Sequence, residues 1–344
     1  MFNRKGAQPT IILDNDSLEV VREYKYLGVW LDDKLNWKTH KTYILAKAKK
    51  RAYTIFGFGI NKLLPVKTCV NLWEVLVRPI LEYAGEIWGG GPWEEADKLQ
   101  REVAKTILNA PTRTANEAVL GDLGWWELKV RQDKARLKLL RRLMDYEGGY
   151  IRNLLSDDDG DWLRYTDKVL NCLDINREVA RYLDEKQWRG LLTNRTQAAE
   201  EKRWRDAMGR KSKLRTYRTV KDKRVFEPYL NFDSRRTRTL LTRLRSGTNF
   251  LRIEKGRYEN EAVEDRVCYW CDKVEDERHL LMECDLYNDV RDHVQEMWDK
   301  ETPQDKNTAF RNLLGGMKVG KEERGITHQI INSTKMREAF LKRL

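Results

Sequence analysis

With 344 residues, 40% hydrophobic and 35% charged, the chain is long enough for two or three modules with modest cores and too polar for one large compact domain. Its 66 Lys and Arg against 54 Asp and Glu leave a formal net charge of +12, so the expected partners are anionic: nucleic acid, acidic protein or anionic lipid. No apolar run approaches the roughly 20 residues of a spanning helix, residues 1–7 lack the apolar centre of a signal peptide, and five cysteines are too few for a disulfide scaffold, which excludes membrane-spanning and disulfide-stapled secreted classes and points to the nucleus or cytoplasm.

The first 36 residues read as extended. Ile11-Ile12-Leu13 is a short apolar run, Asp14-Asn15-Asp16 a turn signal, and Leu18-Glu19-Val20-Val21 resumes the run. Tyr24, Tyr26 and Trp30 follow with alternating polar neighbours, which predicts a hairpin and a further strand with these rings on one face. After Asn36 the period becomes helical. Ile44, Ala48, Ala52 and Ile55 mark one helix, Val66, Val70, Trp73, Val77 and Ile80 a second, and Ala96, Leu99, Val103 and Ile107 a third. Thr114 and Glu117 have capping-box spacing for a short helix that Gly121 can end. A long helix is expected from about Trp125 to Tyr146, with Leu128, Ala135, Leu139 and Leu143 inward.

Between Gly148 and Asp161 the pattern breaks. Asp157-Asp158-Asp159-Gly160-Asp161 suggests calcium, but an EF-hand register starting at Asp157 puts Lys168 where the twelfth-position Glu belongs and Trp162 where the Gly belongs, so a solvated linker is the reading adopted. Residues 167–223 are helical and basic with scattered tryptophans, Trp188 and Trp204 among them. Arg235, Arg236, Arg238, Arg243 and Arg245 lie on a further helix, and helices near 286–299 and 334–344 end the chain.

Three of the five cysteines fall between residues 268 and 284. Cys268 and Cys271 have the C-x2-C spacing that puts two thiolates on one ion, with His279 and Cys284 following at eight and thirteen residues beyond Cys271. Four ligands leave no open position, which makes a structural rather than a catalytic zinc site. The stretch Asp272–Arg278 is too polar to form a core of its own, so metal binding should supply much of the local folding energy. Cys69 and Cys172 are expected to be core or free thiols.

Residues 129–142 carry Lys129, Arg131, Lys134, Arg136, Lys138, Arg141 and Arg142 against Asp133 alone. On a helix whose apolar stripe faces inward these cations cover the outer face, either as a phosphate-tracking surface or as an ordinary solvated one. Lys47, Lys49, Lys50 and Arg51 pose the same choice. Trp73, Trp88, Trp125 and Trp126 read as core. Asp32-Asp33 leads into a helix entrance, not the hairpin of a two-metal polymerase pair, and no nucleophile elbow, Walker loop or H-E-x-x-H occurs.

At Tyr24-Lys25-Tyr26-Leu27-Gly28-Val29, followed by Asp32, Leu35, Trp37 and His40, the chain resembles the Y-L-G…D-x-x-L-x-W-x-x-H stretch of non-LTR (LINE-type) retrotransposon reverse transcriptases. Phe2-Asn3-Arg4-Lys5 resembles the segment before that hairpin, and Pro79-Ile80-Leu81-Glu82-Tyr83 with Trp88 the helical region after it. Arg245-Ser246-Gly247 and the set Cys268, Cys271, His279 and Cys284 resemble the approach to the C-terminal zinc knuckle and the knuckle itself. The resemblance implies a palm remnant with its primer-grip strand over residues 1–36 and a helical thumb-like domain over 37–148. It further implies a basic helical region over 149–225, a zinc-knuckle domain over 226–300 and a helical tail over 301–344. It implies primer contact by Tyr26, Leu27 and Gly28, with RNA and DNA as partners. The catalytic A-D-D segment of the family belongs N-terminal to the Y-L-G strand, where only some twenty residues stand, so a C-terminal fragment that does not polymerise alone is expected. The expected fold is mainly α, with a small N-terminal β-hairpin region and a C-terminal single-zinc knuckle. The other reading is a domesticated zinc-containing module that binds protein partners.

Overall fold

The computed structural model describes residues 10–14, 16–57, 63–146, 148, 160–292, 306–315 and 321–342. The segment Phe2–Lys5 and most of the acidic run from Asp157 lie outside these residues, as does the end of the helix expected near 286–299. The structure is mainly helical, with two small antiparallel hairpins near the N-terminus.

Strands β1 (Ile12–Leu13) and β2 (Asp16–Ser17) form the first hairpin, and β3 (Glu23–Tyr26) and β4 (Val29–Asp32) the second. The single strand expected over residues 24–30 is instead folded back on itself into both arms of the second hairpin. Its turn has two residues, Leu27 and Gly28, both with positive φ (45° and 89°), the conformation whose twist suits a two-residue hairpin. The register pairs Lys25 with Trp30 and Tyr24 with Leu31. Because strand faces alternate, Trp30 sits on the face of Lys25 and opposite Tyr24 and Tyr26, which corrects the shared face expected for the three rings. Asp32 is buried, and its Oδ1 accepts from the N–H groups of Lys34 (3.1 Å) and Asn36 (2.8 Å). Its carboxylate organises the turn into the first helix.

That helix, α1 (Lys38–Phe56), buries Ile44, Ala48, Ala52 and Ile55 as the spacing requires. Next comes α2 (Val66–Leu72), which passes through a π turn at Trp73–Val77 into α3 (Arg78–Glu82). The wider turn advances the phase by one residue, so Leu81 is buried in place of the expected Ile80. Two helices follow: α4 (Gly85–Trp88) and α5 (Glu94–Leu108). The next, α6 (Asn116–Leu123), departs from its expected signals. Its N-cap is Ala115, the side chain of Thr114 makes no cap, and Gly124, with φ 68°, ends it. Gly121 is buried mid-helix, where an added Cβ would lie 2.4 Å from the Tyr217 hydroxyl and 2.8 Å from the Trp204 ring.

The long helix is α7 (Leu128–Met144). Then come α8 (Asp161–Cys172), α9 (Val179–Tyr182), α10 (Glu185–Gly209), α11 (Arg215–Val220), α12 (Arg235–Arg245) and α13 (Arg252–Tyr258). The described chain finishes with α14 (Lys306–Gly315) and α15 (Lys321–Leu341). None of these helices is long and apolar enough to cross a membrane.

The chain divides into two compact units, each assembled from separated stretches. The first comprises 1–55, 73–97 and 127–196, and the second 56–72, 98–126 and 197–344. In the first unit, Leu137, Leu140, Leu163, Leu170, Trp188 and Leu192 form one apolar cluster. In the second, Ala115, Ala118, Trp204, Met208, Leu214 and Tyr217 form another. The second unit also buries a charged network. Arg245 is fully buried, 3.0 Å from Asp122 and 2.8 Å from Glu227, and gives a further hydrogen bond to Leu314 O at 2.7 Å. Tyr217 and Tyr229 lie against its guanidinium, and both hydroxyls reach Asp122.

Candidate metal centre and basic surfaces

The backbone builds the metal centre in two halves. Val267 pairs antiparallel with Val274, and Cys268 N–H donates to Lys273 O at 2.7 Å. Asp272 closes the turn with φ 54°, a conformation aspartate tolerates. This turn presents Cys268 and Cys271 together. The second half is a π turn, His279–Glu283, that opens with Asp276 Oδ1 accepting from His279 N–H at 2.8 Å. Cys284 N–H donates to His279 O at 2.9 Å. In an α-helix a five-residue step leaves side chains about 140° apart; the wider π turn brings His279 and Cys284 back toward one side.

The four donor atoms all lie within 4.8 Å of one another. Cys268 Sγ and Cys284 Sγ are 4.0 Å apart, and Cys271 Sγ and His279 Nε2 3.3 Å. Tetrahedral coordination with metal–sulfur bonds near 2.3 Å and metal–nitrogen near 2.0 Å requires about 3.8 Å between sulfurs and about 3.5 Å from sulfur to nitrogen. The residues fit a single ion. Burial pushes the Cys284 thiol up to about 12 and raises that of Cys268, against backbone N–H groups that lower both. A divalent cation would reverse that preference for the thiol. Burial also lowers His279, which favours the neutral imidazole that ligates metals.

The polar stretch between the halves does contribute to a core, contrary to expectation. Glu275 and Glu277 are buried because each has a full set of partners. Glu275 meets Arg337 through two hydrogen bonds, at 2.5 and 2.7 Å. Glu277 accepts from Arg215, Thr216 and Asn249 at 2.7–2.8 Å. Leu280 and Leu281 are buried beside them, and Gln329 Nε2 caps Leu281 O at 2.7 Å. Buried charge is tolerated where it is paired and hydrogen-bonded. Glu275 Oε2 also accepts from Arg252 N–H at 2.8 Å, so the metal half-sites are tied to α11, α13 and α15 within the second unit. Cys69 is buried and Cys172 exposed, and neither belongs to the cluster.

The basic helix α7 differs from its expected form. Ala135, Leu139 and Leu143 are only half-buried, while Gln132, Asp133, Arg136, Leu137 and Leu140 are buried with Leu128. Arg136 leaves the outer face altogether. Its guanidinium lies 5.0 Å from the rings of both Trp162 and Tyr165 and donates to the carbonyls of Trp162 and Ile87. Lys129 pairs with Asp133, Arg131 with Glu82 at 2.9 Å, and Arg141 with Asp145 and the carbonyl of Leu183. Of the seven cations, Lys138 and Arg142 remain exposed. Lys134, whose ammonium donates to Thr193 Oγ1 at 2.8 Å, is lowered by burial and by Lys138 and Arg131.

Two pieces of sequence 56 residues apart meet at the hairpin tip. The Tyr83 hydroxyl donates to Leu27 O at 2.8 Å, and a Cβ on Gly28 would stand 3.2 Å from the Tyr83 ring. The close backbone approach that glycine permits at residue 28 is therefore to Tyr83 of the same chain. Tyr26 and Leu27 are exposed. Trp88 is buried and donates from Nε1 to Tyr83 O at 2.7 Å, and His40 stands edge-on to it at 5.1 Å.

The fold and site define a mainly helical protein with a largely buried Cys3His cluster able to hold one metal ion. No protein-family model matches the chain. Over 156 residues, 44% of its length, it is 27% identical to the RNA-directed DNA polymerase from mobile element jockey of Drosophila melanogaster. The matched stretch spans 17% of that relative. The similarity supports a reverse-transcriptase-like origin.

Proposed function

We propose that the chain is a nucleic-acid-holding, zinc-containing C-terminal part of a non-LTR retrotransposon reverse transcriptase, one that binds template RNA and primer or target DNA. The similarity to an RNA-directed DNA polymerase carries this reading. The net charge of +12 and the zinc-compatible geometry of Cys268, Cys271, His279 and Cys284 support it. On this reading the exposed hairpin tip, Tyr26-Leu27-Gly28, meets the primer, and the exposed cations of α7 follow phosphates. Zinc is structural: three thiolates and one imidazole close its coordination shell, so it holds the fold and activates no water. The reading assigns no polymerisation to this stretch. Asp32, the carboxylate with the most suggestive sequence setting, spends Oδ1 on two backbone N–H groups.

The test is fluorescence anisotropy of labelled RNA and DNA oligonucleotides against the purified chain across a salt series. Binding that weakens steeply and log-linearly with salt is expected, because phosphate contacts release counterions. No binding at low salt would refute the proposal and favour a module that binds protein partners.

A further inference from the structure

The second unit carries a cation cluster that its own carboxylates neutralise only in part. Lys105 on α5 and Lys213 in the turn before α11 reach one short loop from different elements. Lys105 Nζ donates to Thr112 O and Lys213 Nζ to Arg113 O, both at 2.7 Å. These acceptors are neutral and belong to successive residues, so two ammonium groups are held side by side over one stretch of backbone. Arg113 is exposed, and its guanidinium lies 5.4 Å from the ring of the exposed Tyr258. The Arg257 guanidinium lies 5.0 Å from the same ring and donates to the Tyr258 hydroxyl at 3.2 Å. Lys211 completes the group.

Anionic neighbours are present but engaged. Glu117 takes Lys211 at 2.6 Å, and the buried Glu254 is shared between Arg257 at 2.6 Å and Arg215 at 2.8 Å. Glu102 bears on Lys105 from a distance. Among the described residues no carboxylate forms an ion pair with Lys105, Arg113 or Lys213. The cost registers in the side chains themselves. Lys213 is lowered chiefly by burial, then by Arg257 and Lys211; Lys105 is lowered by burial, then by Arg101. Like charges gathered by folding, with neutral groups holding them in place, are stabilised by an anion that bridges them.

We infer that Lys105, Arg113, Lys213 and Arg257, with Tyr258 as the post that spaces the two guanidiniums, form a phosphodiester-binding site for a nucleic-acid strand. The ammonium groups act as point charges and the arginines as forks for phosphate oxygens. Because its cations are assigned to phosphate oxygens and not to base edges, the site should grip RNA and DNA backbones without sequence preference. It rests on the proposed nucleic-acid function and places one point of strand binding on the second unit.

The experiment compares the full chain with Lys105→Gln/Arg113→Gln/Lys213→Gln by anisotropy on labelled single-stranded RNA over a salt series. The control, Lys168→Gln/Lys186→Gln/Lys202→Gln, removes equal charge from other positions. The site variant should bind at least ten-fold more weakly, with a log–log salt slope shallower by roughly one for each phosphate it no longer grips. The control should weaken much less, and Lys105→Arg/Lys213→Arg should keep wild-type affinity. If the wild type binds RNA and the site variant binds as well, or the control weakens as much, the site is overturned while the proposed function stands. If the wild type binds no nucleic acid, both fall.

Discussion

His40 shows how one side chain couples a hairpin to a helix. It is fully buried on α1, its Nδ1 accepts the Trp30 N–H of β4 at 3.3 Å, and its ring meets Trp88. Burial lowers its pKa below the ordinary imidazole value of about 6.5. The unfolded chain therefore takes up a proton at His40 first. The stability this residue contributes is complete above about pH 6.5 and declines as pH falls below it. Urea melts from about pH 7.5 down to 5.5 should show a decline that His40→Gln flattens; parallel profiles for the two proteins would contradict it. Arg245 belongs to the same scale. It lies in a stretch that reads as a basic helix, and no local spacing marks it, and not Arg243, for burial. The carboxylates of Asp122, 123 residues away, and Glu227 supply the counter-charge that makes its burial possible. Arg245→Met would leave both facing an apolar side chain, and the expected cost is about 3–5 kcal/mol. A melt within about 1 kcal/mol of wild type would show that the network contributes little.

Among the elements, α7 is the instructive one. Its existence and bounds follow from composition, but its buried arc does not. The helix packs against α4 on one side and α8 and α9 on another, so the covered arc is wider than a single apolar stripe. Gly85 and Gly89, lacking Cβ atoms, let Gln132 approach to about 3 Å from where those atoms would stand. Tyr165 satisfies Asp133 at 3.0 Å, and Trp162 and Tyr165 receive Arg136. Polar residues on the helix are thus buried by partners that a helical-period reading ignores. The seven cations accordingly divide. Lys134→Gln/Lys138→Gln/Arg142→Gln should weaken nucleic-acid binding and flatten its salt dependence while leaving the melting temperature within a few degrees. Arg136→Gln should instead lower the melting temperature, because the buried carbonyls and rings around it would be left without their guanidinium partner. Equal effects of the two variants on binding, with no change in melting, would show the division to be wrong. The π turns at Trp73–Val77 and His279–Glu283 are equally unreadable from period alone: the first shifts the helical phase of the residues after it by one position, and the second brings His279 and Cys284 toward one side.

At the scale of the molecule, the metal centre is joined to its unit by Glu275–Arg337 and by Glu277 with Arg215 and Asn249. Loss of the ion should therefore spread beyond residues 260–300. Cys284→Ser is expected to purify with little or no zinc by elemental analysis, where the wild type carries about one ion per chain. Proteolysis should then cut faster at α11 and α15 as well as in the knuckle. Full zinc in the variant would dismiss the site, and cleavage confined to residues 260–300 would dismiss the coupling. Cys69→Ser and Cys172→Ser should leave the stoichiometry unchanged. The mainly helical character, the apolar faces of α1 and α5, the extended N-terminal region and the four metal-centre residues all rest on local spacing, and spacing is what a sequence displays. The assembly of each unit from separated stretches, the pairing of Tyr83 with Leu27, the burial of Arg136 and Arg245, and the gathering of Lys105, Arg113, Lys213 and Arg257 all depend on residues distant in the chain. Tertiary structure alone decided those, because burying a charge depends on which partner folding brings within reach of it, and that partner's distance along the chain carries no local signal.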